Sequence, residues 1–132
     1  MDFTTKKLND LQLLLKITYG VVPVVAGADK FFNILTDWKE YLNPALARII
    51  PITEDTFMIL VGIIEIAAGI FVFIRPLVGA YIVCAWLVLI AFTLITNGAF
   101  LDVAVRDLVM AVGAFTLAKV STFTTSTSTA HP

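Results

Sequence analysis

The sequence predicts an all-α fold: an integral membrane four-helix antiparallel bundle with a short interfacial helix in the first extramembrane loop. Three observations carry that expectation. The 132 residues are 59% hydrophobic and 14% charged, with mean hydropathy +0.94, whereas soluble domains are roughly 45–50% apolar and 25% charged. Residues 57–74 form an apolar run interrupted by one acid, Glu65, and about 18 residues cross a hydrocarbon core at ~1.5 Å per residue. Three further apolar stretches, 11–35, 77–96 and 99–120, are divided by loop and turn signals.

The elements follow in order. Residues 1–10 read as a cytoplasmic N-terminus. Lys6 and Lys7 precede an apolar stretch ending in Ala26-Gly27-Ala28, which has the outline of a cleavable leader. Lys16 interrupts that stretch, so the expectation is a retained first helix over 11–35. Within it Lys16, Gly20, Pro23, Gly27 and Lys30 recur at helical spacing and form one small and polar stripe. Small residues let membrane helices approach closely. Residues 36–55 are the one long polar connection. Trp38 and Tyr41 suit a membrane interface, and Asn43-Pro44 is a helix start with a cap and a proline at the first position.

Thr53 caps the second helix, over 56–74, with Glu54 and Asp55 placed to meet its N-terminal dipole. Arg75-Pro76 leaves room only for a tight turn into the third helix, 77–96, whose candidate inward stripe is Gly79, Val83, Trp86, Ile90, Thr93 and Asn97. Asn97-Gly98 signals the next turn. The fourth helix covers 99–120, with Asp102, Arg106, Val109, Gly113 and Thr116 on one stripe and Asp107 about 100° from Arg106. The Ser/Thr-rich residues 121–132 lack periodicity and read as a disordered tail. The sole histidine, His131, lies in that tail and reads as bland.

Basic residues set the expected orientation. With both termini cytoplasmic, the inner side carries Lys6, Lys7, Lys16, Arg75 and Lys119. The outer side carries Lys39 and Arg48, offset by Asp37, Glu40, Glu54 and Asp55. Glu65 then sits near ~13 Å depth by helical rise. An acid at the centre of a spanning helix costs roughly 2.5–3.5 kcal/mol on insertion scales, so it needs a partner or a proton. Asp29, Lys30, Glu65, Asp102, Arg106 and Asp107 fall at similar depth, and the bundle is expected to gather them in its outer half under the loop. Lys30 or Arg106 is the expected partner of Glu65. Such a network either fixes helix register alone or forms a polar pocket for a small ligand, a quinone headgroup or a proton.

Several chemistries fall away. A net charge of −1 and the lack of a basic cluster give no ground for a nucleic-acid partner. A single cysteine, Cys84, excludes an internal disulfide, a dithiol pair and a zinc quartet. No membrane segment offers a histidine for haem or for a nucleophile–histidine pair. A carboxylate metal site at Glu65, Asp102 and Asp107 is disfavoured by Lys30 and Arg106.

Three motifs carry a resemblance: Gly-Ala-Asp-Lys-Phe at 27–31, Val-Gly-Ile-Ile-Glu-Ile-Ala-Ala-Gly at 61–69 and Val-Arg-Asp-Leu at 105–108. In this order and spacing they resemble the DoxX-like family of small four-helix membrane proteins, over residues 11–120. The resemblance implies a subunit linked to a membrane oxidoreductase, including quinone-dependent systems, and it touches Lys30, Glu65, Arg106 and Asp107. Branches of that family that handle disulfides use paired cysteines, which Cys84 alone does not provide. The expectation is therefore a non-catalytic accessory or binding subunit of a quinone-dependent redox system in the inner (plasma) membrane. Quinone or lipid is its expected ligand, and a membrane oxidoreductase subunit or a second copy of the chain its expected partner. No haem or metal is expected, nor activity of its own. The alternative is a small proton-coupled transporter or channel using Glu65.

Overall fold

The computed structural model describes residues 3–130, with side chains for 3–124. The described chain is helical in the order α1 (Phe3–Asp29), a 3-10 turn (Trp38–Tyr41), α2 (Pro44–Ile49), α3 (Glu54–Ile74), α4 (Pro76–Asn97) and α5 (Leu101–Ala130). Helix α1 packs on α3 and α5, and α4 packs on α3 and α5, so the four long helices form a ring.

Three of them, α1, α3 and α4, are long and apolar enough to cross a membrane, with mean hydropathies of 1.6, 2.7 and 2.5. Only 28% of the most apolar window of α3, and of α4, is buried inside the molecule. Ile63, Ile64, Phe73, Leu89 and Phe92 all face outward. A water-soluble bundle hides such side chains, and a membrane protein presents them to lipid. The chain is a helical membrane protein.

Helices α1 and α3 meet along glycines. A Cβ on Gly27 would stand 2.5 Å from the Gly62 carbonyl oxygen, and one on Gly69 would stand 2.5 Å from the Gly20 carbonyl oxygen. The pairs 27/62 and 20/69 define an antiparallel register with backbones in direct contact, the close approach that small-residue spacing permits. In that register Ile74, at the end of α3, lies level with Leu15. Residues 3–14 of α1 therefore continue past the Arg75-Pro76 turn by ~18 Å, beside the end of α5, where Gln12 donates to Ser121 Oγ at 3.5 Å.

Expected boundaries shift at several places. Residues 3–10, expected to precede the first helix, are already helical. That helix stops at Asp29 rather than Leu35, because the Asp29 carboxylate accepts from the backbone N–H of Ile34 at 3.0 Å and of Leu35 at 2.9 Å. A side chain that satisfies those donors lets the chain turn away. The α4–α5 turn takes Gly98 with φ 76° and Phe100 with φ 56°, and α5 starts at Leu101 rather than residue 99. The tail expected to be disordered from residue 121 is instead helical to Ala130. Thr122 and Thr124 hydroxyls donate to the carbonyls of Lys119 and Ser121, so these side chains bond along the helix. His131 lies outside the described residues.

The long connection folds as a roof over one end of the ring. Asn43 caps α2 through Ala45 N–H at 2.9 Å and donates to the Thr93 carbonyl and Thr96 Oγ1, both at 3.1 Å. Tyr41 stacks on Phe100 with ring centroids 4.5 Å apart. Lys39 reaches Asp55 at 3.1 Å. These contacts fasten the connection to α3, to α4 and to the α4–α5 turn.

Candidate functional site

The site lies beneath that roof, and the glycine crossing creates it. A Cβ on Gly62 would stand 3.1 Å from Lys30 Cβ, and one on Gly27 would stand 3.1 Å from Glu65 Cβ. With α1 and α3 held so close, Lys30, in the turn just past α1, faces Glu65 on α3. Its Nζ lies 2.6 Å from Glu65 Oε2, with 4% and 9% of the two side chains exposed. The other carboxylate oxygen, Oε1, accepts from Trp86 Nε1 of α4 at 3.2 Å. Glu65 lies eleven residues into α3, or ~16 Å along its axis. There it has a cation on one oxygen and an indole donor on the other, the full compensation a buried acid requires.

Trp38 closes the roof side. Its ring lies over the Lys30 ammonium, 3.8 Å from centroid to Nζ, and its indole N–H donates to Asp29 Oδ2 at 2.9 Å. Asp29 thereby holds two backbone donors and Trp38 at once. It positions the tryptophan that shields Lys30, and it does not touch Glu65.

Asp107 enters from α5. It is 7% exposed on the inward stripe of that helix and has no hydrogen-bond or ion-pair partner among the described residues.

Of the six residues expected to gather, Lys30 and Glu65 do so, Asp29 borders them through Trp38, and Asp107 is buried on the inward stripe of α5. Asp102 and Arg106 do not join. Their side chains are 70% and 74% exposed on the outer face of α5, 4.0 Å from each other. Arg106 is not the partner of Glu65; Lys30 is. Adjacent residues on a helix point about 100° apart, so Asp107 and Arg106 cannot both face inward. The inward stripe of α5 is Ala104, Asp107, Ala111, Ala114 and Ala118, and its small residues admit the neighbouring helices.

No protein-family model, curated protein or solved structure matches the chain. Two of the three motifs nonetheless converge in space. Lys30 of the first and Glu65 of the second meet at one site, joined by Trp38 and Trp86, which sequence reasoning placed at the interface and on an apolar stripe; Asp107 of the third is buried on the inward stripe of α5. The signal that marks both tryptophans is their N–H: a buried indole needs an acceptor, and the acids supply it.

Proposed function

We propose that this chain is an inner-membrane protein of the DoxX-like type, a four-helix antiparallel bundle with both termini cytoplasmic, that serves as a non-catalytic binding subunit of a quinone-dependent redox system. One observation carries the reading: the Lys30–Glu65 pair is enclosed between two indoles, and Asp107 lies on the inward face of α5, 7% exposed, with no hydrogen bond or ion pair among the described residues. A quinol hydroxyl has a hydrogen for Asp107, a quinone carbonyl can accept from Lys30, and the Trp38 indole offers a flat face for stacking. Purification from native membranes followed by solvent extraction tests this. Bound quinone recovered with the wild-type protein and lost in Asp107→Asn supports it; repeated recovery of neither quinone nor an oxidoreductase partner overturns it.

The same observation favours one second reading, a proton-coupled carrier. Glu65, the acid that stands out in the sequence, is tied by Lys30 and Trp86, so the exchanging group in that reading is Asp107. Reconstituted in liposomes, the protein would lose proton-coupled flux in Asp107→Asn, and unchanged flux would remove the role.

A further inference from the structure

At the end of the ring away from the roof, three elements each bring one cation to the same level. The 27/62 and 20/69 contacts place Arg75, in the α3–α4 turn, level with Leu14 of α1. On α5, the Gln12–Ser121 bond and the approach of Tyr19 to Gly113 place Lys119 level with residues 13 and 14 of α1. Lys16 belongs to α1 itself. Lys16, Arg75 and Lys119 therefore lie within about 5 Å of one another along the bundle axis, one helical turn. Arg75 and Lys119 are exposed and Lys16 is half-buried. None of the three has an ion-pair partner among the described residues. The nearest described acid at this end is Asp10, about 6–9 Å further out on α1.

The surroundings identify what meets this collar. Immediately above it, the end of α3 and the start of α4 turn Phe73, Ile74, Val78 and Tyr81 outward. That surface suits lipid tails, so the collar stands where hydrocarbon gives way to headgroups. The Lys119 side chain runs back along α5, with its ammonium 5.2 Å from the Phe115 ring centroid. Its charge stays at the edge of the apolar band. The roof end has no such excess: Lys39 is bound to Asp55 at 3.1 Å, and Lys39 and Arg48 stand among Asp37, Glu40, Glu54 and Asp55. Cations at headgroup level with no counter-charge from the protein draw it from anionic lipid, each with a preference of about fivefold. Zwitterionic lipid supplies no net charge.

We propose that the Lys16–Arg75–Lys119 collar holds anionic phospholipid headgroups at this end of the bundle, in preference to zwitterionic ones. The collar is separate from the buried Lys30–Glu65 pair and does not depend on what that pair binds. Native mass spectrometry tests it, on detergent-purified protein incubated with phosphatidylglycerol or with phosphatidylcholine of the same acyl chains. The wild type should retain phosphatidylglycerol several-fold more than phosphatidylcholine, and the preference should fall as salt is raised during incubation. Arg75→Gln should lower the preference several-fold, and Lys16→Gln/Arg75→Gln/Lys119→Gln should abolish it. Arg48→Gln, at the roof, should leave it unchanged. Glycerol phosphate, the same anion without tails, should not displace the lipid at equal concentration. Equal retention of the two lipids by the wild type, an unchanged preference in Arg75→Gln, an equal loss in Arg48→Gln, or displacement by glycerol phosphate would each overturn the proposal.

Discussion

Glu65 is stable in its surroundings only because both carboxylate oxygens are engaged, by Lys30 at 2.6 Å and Trp86 at 3.2 Å. Replacing Lys30 by methionine removes one charge and strands the other, which costs roughly 3–5 kcal/mol when a buried pair is broken from one side. Adding Glu65→Gln should recover part of that loss, so thermal unfolding in detergent should rank the double variant above Lys30→Met. Arg106→Ala, on the outer face, should cost less than about 1 kcal/mol in the same assay. A pH effect belongs to the roof. The hydrogen bond and charge of Asp55 hold the Lys39 ammonium above its ordinary pKa. With the folded value raised, the stabilisation from this pair is complete below the unfolded lysine pKa of about 10.4. It is lost as pH rises through the folded value. Titration of Lys39 by NMR should show the raised midpoint, and Asp55→Asn should bring it down. At this scale the charges were legible, because an acid or a lysine in apolar sequence is conspicuous. The pairing was not: Lys30 and Arg106 were equal candidates until the rotation of α5 was known. The alanines at 104, 111, 114 and 118 carried that rotation, a small-residue stripe read past in favour of the charged one.

The helices themselves were legible because apolar length and turn signals are local properties. Thr53, Asn43 and Gly98 stand where caps and turns require them, and the α3 and α4 boundaries shift by only one or two residues. Residues whose backbone donors are satisfied from a distance were not legible. Asp29 ends α1 early by reaching forward to Ile34 and Leu35. The glycine seam between α1 and α3 makes a sharp prediction. Gly62→Ala places a methyl 2.6 Å from the Gly27 carbonyl oxygen, so the helices must separate, at about 1–3 kcal/mol for overpacking a tight contact. The same separation pulls Lys30 from Glu65. The loss in thermal stability should therefore shrink when Gly62→Ala is made in a Lys30→Met/Glu65→Gln background, because the two effects share one contact. Asn43→Ala removes a cap and two bonds to the end of α4, and should cost about 0.5–2 kcal/mol.

For the whole molecule, the organising fact is that one end of the ring is closed and specialised. The α1–α3 connection is fastened to α3, α4 and the α4–α5 turn. Beneath it lie Lys30, Glu65, Trp86 and Asp107, while the α3–α4 hairpin closes the other end of those two helices without a charge cluster. In the proposed function the Lys30–Glu65 pair, flanked by Trp38 and Trp86, and Asp107 on the inward stripe of α5 receive a small ligand of quinone chemistry. Quinones quench indole fluorescence on contact, so the two tryptophans are built-in reporters. The most direct measurement is titration of the detergent-purified protein with a short-chain quinone, following tryptophan emission. Saturable quenching is expected, lost in Asp107→Asn and Lys30→Met and retained in Arg106→Ala. Quenching that never saturates, or that is the same in all four proteins, would contradict it.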